Sequence, residues 1–177
     1  MTATHAVPTT KRRRWRALLG DRKGATAVEF ALVASPFLFL LVAIIQTFLV
    51  FFAQQILETA VNQSSRLILT GQAQAQNMTQ SQFAAAVCSN LPTFFNCNSL
   101  MIDVEVASSW STANAGTPTL TYNSNGNVTN VWQYTPGNPG DIVVVKVMYL
   151  WPVFVGSGGT RLIMASAAFQ NEVYVSS

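Results

Sequence analysis

The chain has 177 residues, a mean hydropathy of +0.30 and only 10% charged side chains, which is too apolar for an ordinary soluble domain of this length. Its formal charge of +3 is unevenly placed: seven of the ten Lys and Arg (Lys11, Arg12, Arg13, Arg14, Arg16, Arg22 and Lys23) precede residue 24, and the remainder carries Arg66, Lys146 and Arg161 against six carboxylates, a net −3. A basic patch that abuts an apolar run, followed by an acidic remainder, argues against a nucleic-acid footprint.

Residues 1–24 contain Pro8, a TTKRRR run and no apolar periodicity, and read as a basic cytoplasmic leader that packs against nothing. Residues 31–53 follow without a single charge. As a helix at ~1.5 Å per residue they span roughly 35 Å, enough to cross a bilayer with some tilt. Pro36 removes one helix hydrogen bond, which predicts a kink but no break. The basic flank keeps the N-terminus in the cytoplasm and sends everything after the span across the membrane. So long an apolar segment, with no small-residue cleavage site after it, is not an ordinary secretory signal.

Apolar residues persist on one helical face at Leu57, Val61 and Ile68, with Ala60 and Ser64 beside them, so a single helix over 25–70 is expected, stopping at Gly71. A polar connection leads to Thr79, a candidate cap for a short helix through SQFAAAVCSNL that ends before Pro92. Cys88 and Cys97 lie in the exported part, where an even pair is expected to form a disulfide, two buried thiols being the alternative. A metal site is disfavoured, because His5 is the only histidine and stands across the membrane, and no CxxC spacing exists.

The period then changes to two. In MIDVEV, Ile102, Val104 and Val106 face one way, with Asp103 and Glu105 on the other face in the manner of solvent-exposed carboxylates. Residues 108–140 read as a long loop or a weak hairpin turning at Asn125-Gly126. DIVVVKVMYLW is apolar on both faces and should be a central strand. GSGG breaks the chain before a last strand in RLIMASAAFQNEVYV. The expected architecture is α+β: a leader (1–24), a long N-terminal helix (25–70), and a small extracytoplasmic domain (71–177) with an antiparallel sheet of three to five strands. Trp132, Tyr149 and Trp151 are expected to be core and surface aromatics rather than a ligand platform.

Glu29 stands near the start of the apolar helix, where a carboxylate at the helix centre would cost ~2.5–3.5 kcal/mol and less at the interface. It either snorkels to the interface or has a partner. A cut after Gly24 would supply one, because the new α-amine on Ala25 (pKa about 7.7–8.0) would lie one helical turn away.

The stretch KG followed by ATAVEF resembles the processing site of type IV prepilins, and the Glu29-Phe30 pair is similar to the Flp/Tad branch. Over residues 24–75 the chain resembles the TadE-like pseudopilins of Tad/Flp (type IVb) pilus assembly. Gly24, Glu29-Phe30, Pro36, Gln54-Gln55, Arg66 and Thr70-Gly71 fall where that pattern places them. VVVKVMYLWPV and ASAAFQNEVYV resemble the family's endings, with Val173 where proline is frequent. The resemblance implies cleavage between Gly24 and Ala25 by a membrane aspartic prepilin peptidase and residence in a bacterial inner membrane. It also implies a minor role in assembling adhesive pili with other Tad pilins and the pilus machinery, Glu29 meeting a neighbour's Ala25 amine. No cofactor is implied, and an enzyme is not expected, since the exported domain has no histidine and no recognisable nucleophile motif. The alternatives are an uncleaved, anchored envelope protein whose domain binds a partner or surface ligand, and a sister pseudopilin of the TadF kind.

Overall fold

A computed structural model describes residues 24–154, 156 and 158–173. The basic leader, His5 and the Arg22-Lys23 flank lie outside the described residues. Among the described residues there are three α-helices: α1 (Ala25–Leu69), the single turn α2 (Gln72–Ala75) and α3 (Gln80–Ser89). They are followed by a 3-10 turn (Cys97–Ser99) and the strands β1 (Met101–Ala107), β2 (Ile142–Val153) and β3 (Gly159–Gln170). The chain divides into two compact units, Met1–Ile45 and Gln46–Ser177.

In the first unit, α1 is apolar all round and shows its side chains to the outside, as with Phe30 (75% exposed) and Phe39 (65%). A helix without a polar face is either buried in a large protein or immersed in lipid. This one is long and apolar enough to cross a membrane, and its apolar window is unburied. The helix is unbroken across Pro36, and the Ser35 hydroxyl donates to the Ala31 carbonyl at 2.6 Å, which satisfies a polar group inside the apolar run.

In the second unit the same helix acquires a face. Ala53, Leu57, Ala60, Val61, Ser64 and Ile68 recur at helical spacing and are buried. They share a core with Ile102 and Val104 of β1, Val143, Val145, Val147 and Tyr149 of β2, and Ile163 and Ala165 of β3. The sheet is antiparallel in the order β1-β2-β3, with Val104 opposite Val145 and Val145 opposite Ala167. β2 is central, and every residue from Val143 to Tyr149 is buried, which is why its sequence is apolar on both faces.

Gly71, at φ +77°, stops α1 by donating its N–H to the Ile68 carbonyl. Thr79 and Gln82 form a reciprocal capping box that starts α3. α3 buries Phe83 and Val87, and Gln80 Nε2 reaches the Ile102 carbonyl at 2.7 Å, tying the helix to β1.

The long connection from 108 to 141 forms no regular strand. Tyr122 bridges Val128 about a turn at Gly126 (φ +78°), and farther on Tyr134 pairs parallel with Val104. Val104 N–H donates to the Gln133 carbonyl and Thr135 N–H to the Val104 carbonyl, both at 2.9 Å, so this segment covers the outer edge of β1. The Tyr134 phenol beside Phe83 is pushed up to about 12 by burial.

The carboxylates of β1 are not solvent-exposed as expected. Asp103 is 4% exposed and Glu105 is half-buried, because the sheet face opposite α1 is covered as well. Lys146, directly across the ladder from Asp103 and equally buried, places Nζ 2.9 Å from Asp103 and 3.5 Å from Glu105. The Gln133 N–H donates to Asp103 Oδ1 at 3.0 Å. Burial alone would raise the Asp103 carboxyl, but the hydrogen bonds from Lys146 and from the Gln133 amide outweigh it and hold the group below the ordinary carboxylate value.

Removing Lys146 leaves a buried carboxylate without its cation, so Lys146→Met should destabilise the domain by about 3 kcal/mol. The check is thermal unfolding of the full chain in detergent, where Lys146→Met paired with Asp103→Asn should recover part of the loss. A folded-state carboxyl held low stabilises above its ordinary value of 3.8 and loses that contribution as pH falls below it. The melting temperature should therefore hold from neutral pH down to about pH 5 and fall beneath it, more shallowly in Asp103→Asn.

Candidate functional site

Two places carry the sequence-predicted site residues. At the first, Gly24 sits in a turn and Ala25 is the first residue of α1. The Gly24 carbonyl accepts from the Val28 N–H at 3.1 Å, the first bond of the helical ladder. The Gly24–Ala25 peptide thus lies at the junction of turn and helix. Glycine at that junction leaves the backbone before the helix sterically uncrowded.

Glu29 is exposed one turn beyond Ala25, next to the exposed Phe30, and no salt bridge joins it to any described residue. No acidic residue occupies the first turn of α1. The structure therefore brings Gly24, Ala25, Glu29 and Phe30 together at one helix end by local geometry alone.

At the second place, Cys88 in the last turn of α3 is disulfide-bonded to Cys97 at the start of the 3-10 turn, with their Cα atoms 5.8 Å apart. The closed loop carries Phe94 and Phe95. Phe95 is buried, with its ring 5.1 Å from Tyr149 and 5.4 Å from Trp151. The Asn96 N–H donates to the Tyr149 hydroxyl at 3.2 Å. The disulfide therefore does more than join helix to loop: it holds two aromatic rings against the sheet. Among the described residues no group of three or more His, Cys, Asp or Glu could hold a metal ion.

Sequence reasoning missed Lys146 as a partner of Asp103 and Glu105. The available signal was a lone lysine in a strand apolar on both faces, since a buried ammonium requires an acidic neighbour. It also missed the polar joint where α1 ends. There Gln74 Nε2 donates to the carbonyls of Ile68 and Pro136, Asn171 Nδ2 to those of Pro136 and Asn138, and the Glu172 N–H to the Leu69 carbonyl. The bonds to Ile68 and Leu69 occupy carbonyls that the end of α1 leaves open, and those to Pro136 and Asn138 fasten the long connection beside them, so that the residues after β3 are tied to α1.

With this geometry in place, comparison with known proteins gives a family match. The family model described as TadE-like protein covers residues 24–66. Over those residues the chain is similar to the TadE-like family. No curated protein and no solved structure matches it. The TadE-like segment opens at Gly24, the residue whose carbonyl starts the ladder of α1, and closes at Arg66 in its last turn. It includes the apolar stretch and most of the face that packs on the sheet, up to Ser65, with Ile68 beyond it. The sheet domain, the disulfide and the Asp103–Lys146 pair lie beyond the TadE-like segment.

The disulfide closes a short loop, so Cys97→Ser should lower stability by roughly 2–3 kcal/mol. Limited proteolysis of the oxidised and reduced full chain should show new cleavage near Phe94 and Phe95 only when the bond is open.

Proposed function

We propose that this protein is a minor pilin or pseudopilin of the Tad/Flp pilus system, a structural subunit rather than an enzyme. A prepilin peptidase trims it between Gly24 and Ala25. In this reading the basic leader stays in the cytoplasm, α1 crosses the bacterial inner membrane, and the sheet domain lies in the periplasm. There it takes part in assembling adhesive pili with other Tad pilins and the pilus machinery.

The observation that carries the reading is the coincidence of three features at the Gly24–Ala25 junction: the glycine of the prepilin-like KG-ATAVEF stretch and the start of the TadE-like match at residue 24, and the start of α1 at Ala25. The chemistry is consistent with it. Cutting after Gly24 removes the carbonyl that accepts from Val28 and leaves an ammonium at the positive end of the helix dipole, an unfavourable arrangement by itself. Glu29, four residues on, supplies the compensating charge, from the same chain or from a neighbour. Transfer from bilayer to filament would exchange lipid around the exposed apolar side chains of α1 for the helices of other subunits.

The reading that competes with this one is an uncleaved anchor whose domain binds an envelope partner or a surface ligand. Intact mass and N-terminal sequencing of protein purified from membranes, with and without the peptidase and alongside Gly24→Ala, separate the two. A mature chain beginning at Ala25, lost in both controls, is expected. A chain that keeps Lys11 to Lys23 where the peptidase cuts a known pilin would overturn the proposal in favour of the anchor. In processed protein, Glu29→Val should still be cut but should fail to support pili, as scored in sheared fractions.

A further inference from the structure

The hairpin of β2 and β3 reaches a part of α1 that belongs to the apolar run. The Phe154 N–H donates to Gln46 Oε1 at 2.9 Å, and Gln46 lies seven residues before that run ends at Ala53. Val50, Val153 and Arg161 line a groove of about 290 Å³ between helix and hairpin, with no acidic residue in its wall. Counted from residue 31, about 20 helical residues cover a hydrocarbon layer of ~30 Å, and the twentieth is Val50. The hairpin tip is therefore bonded to a helical turn that the apolar count places inside the layer.

What the tip displays suits that depth. Phe154 is 81% exposed. Arg161 is exposed, opposes Trp151 across the ladder and hence shares its face, and has no ion pair among the described residues. In water, an isolated exposed ring and an unpaired guanidinium have no bearing on each other. At a bilayer boundary aromatic rings sit at the head-group level, while an arginine keeps its stem in the apolar layer and its charge on a phosphate.

We propose that the β2–β3 hairpin tip is a membrane-seating element: Phe154 and Trp151 rest at the acyl boundary, and Arg161 binds the phosphate of a phospholipid head group. This rests on the reading that α1 spans a bilayer. The chemistry recognised is an anionic phosphodiester presented at an apolar surface, and continuity with the apolar face of α1 assigns it to lipid rather than to a second protein.

The test uses the full chain in vesicles of phosphatidylcholine and phosphatidylglycerol, with the native disulfide intact. A fluorophore is attached at Thr160→Cys near the tip or at Ala168→Cys toward the far end of β3. A nitroxide on the lipid head group should quench the label at 160 by about twofold or more and leave the label at 168 nearly unchanged, the outcome expected of a residue at head-group depth. Adding Arg161→Gln should return the label at 160 toward the level of the one at 168. Carbonate extraction of the same vesicles reports the span independently. Protein that resists extraction yet shows equal, weak quenching at both positions overturns the seating and leaves the span standing. Protein released by carbonate overturns both. Quenching unaffected by Arg161→Gln removes the phosphate contact, and an unlabelled Thr160→Cys that oxidises to a disulfide with a second copy instead assigns the tip to a neighbouring subunit.

Discussion

Everything beyond residue 46 depends on one packing surface, the face of α1 from Ala53 to Ile68 laid on the sheet. The small side chains Ala53, Ala60 and Ser64 are buried in that face together with Leu57, Val61 and Ile68, so the helix backbone can approach the strands closely. The strands answer with β-branched residues, mainly valines, whose fixed rotamers pack well on a pleated surface. A three-stranded sheet of this size has too little apolar area to be stable without something laid on it. α1 provides that cover. The domain is therefore built on the same helix that carries the membrane-length run, and Leu57 and Val61 of that helix belong to the domain core.

The elements legible in the sequence were those written in local signals. Gly71 ends α1 because only a left-handed residue without a Cβ closes that turn easily, and Thr79 with Gln82 begins α3 through bonds confined to four residues. β2 was legible as a central strand because burial on both faces leaves an unbroken apolar run. The Asp103–Lys146 pair was not, since it joins residues 43 apart and depends on register, which no short window of sequence contains. The weak strand expected around NVTNVWQY was legible only as an arm of a hairpin; the bonding of Gln133–Thr135 to the edge of β1 at Val104 was not, because it too depends on residues distant in sequence. At the N-terminal end the placement of Gly24, Ala25 and Glu29 within the first turns of α1 was legible, because helix geometry alone sets it.

Asp103 and Glu29 illustrate opposite solutions to one problem. Asp103 is withdrawn from water and held charged by a cation placed directly opposite it and a backbone amide, so its charge is settled when the sheet forms. Glu29 has no cation of its own among the described residues and remains exposed on an apolar helix. The first arrangement fixes strand register, because a slip of one residue would turn Lys146 into the α1 core. The second leaves a charge to be satisfied by something outside the folded domain. In the proposed function that something is an ammonium created by proteolysis.

If the protein is a pilus subunit as proposed, this difference bears on how it could leave the bilayer. Apolar side chains on the first stretch of α1 are insensitive to whether lipid or other helices surround them, so they favour neither state strongly. A carboxylate in the same stretch discriminates sharply, being costly in hydrocarbon and inexpensive next to an ammonium. The hairpin tip adds an opposing bias, because Phe154 is bonded to Gln46 and travels with the helix. Withdrawal of α1 would then break the lipid contacts of helix and hairpin in one step. On these proposals, Glu29 favours the assembled state and the Phe154–Arg161 tip favours the membrane, and the balance of the two sets how readily the subunit is extracted.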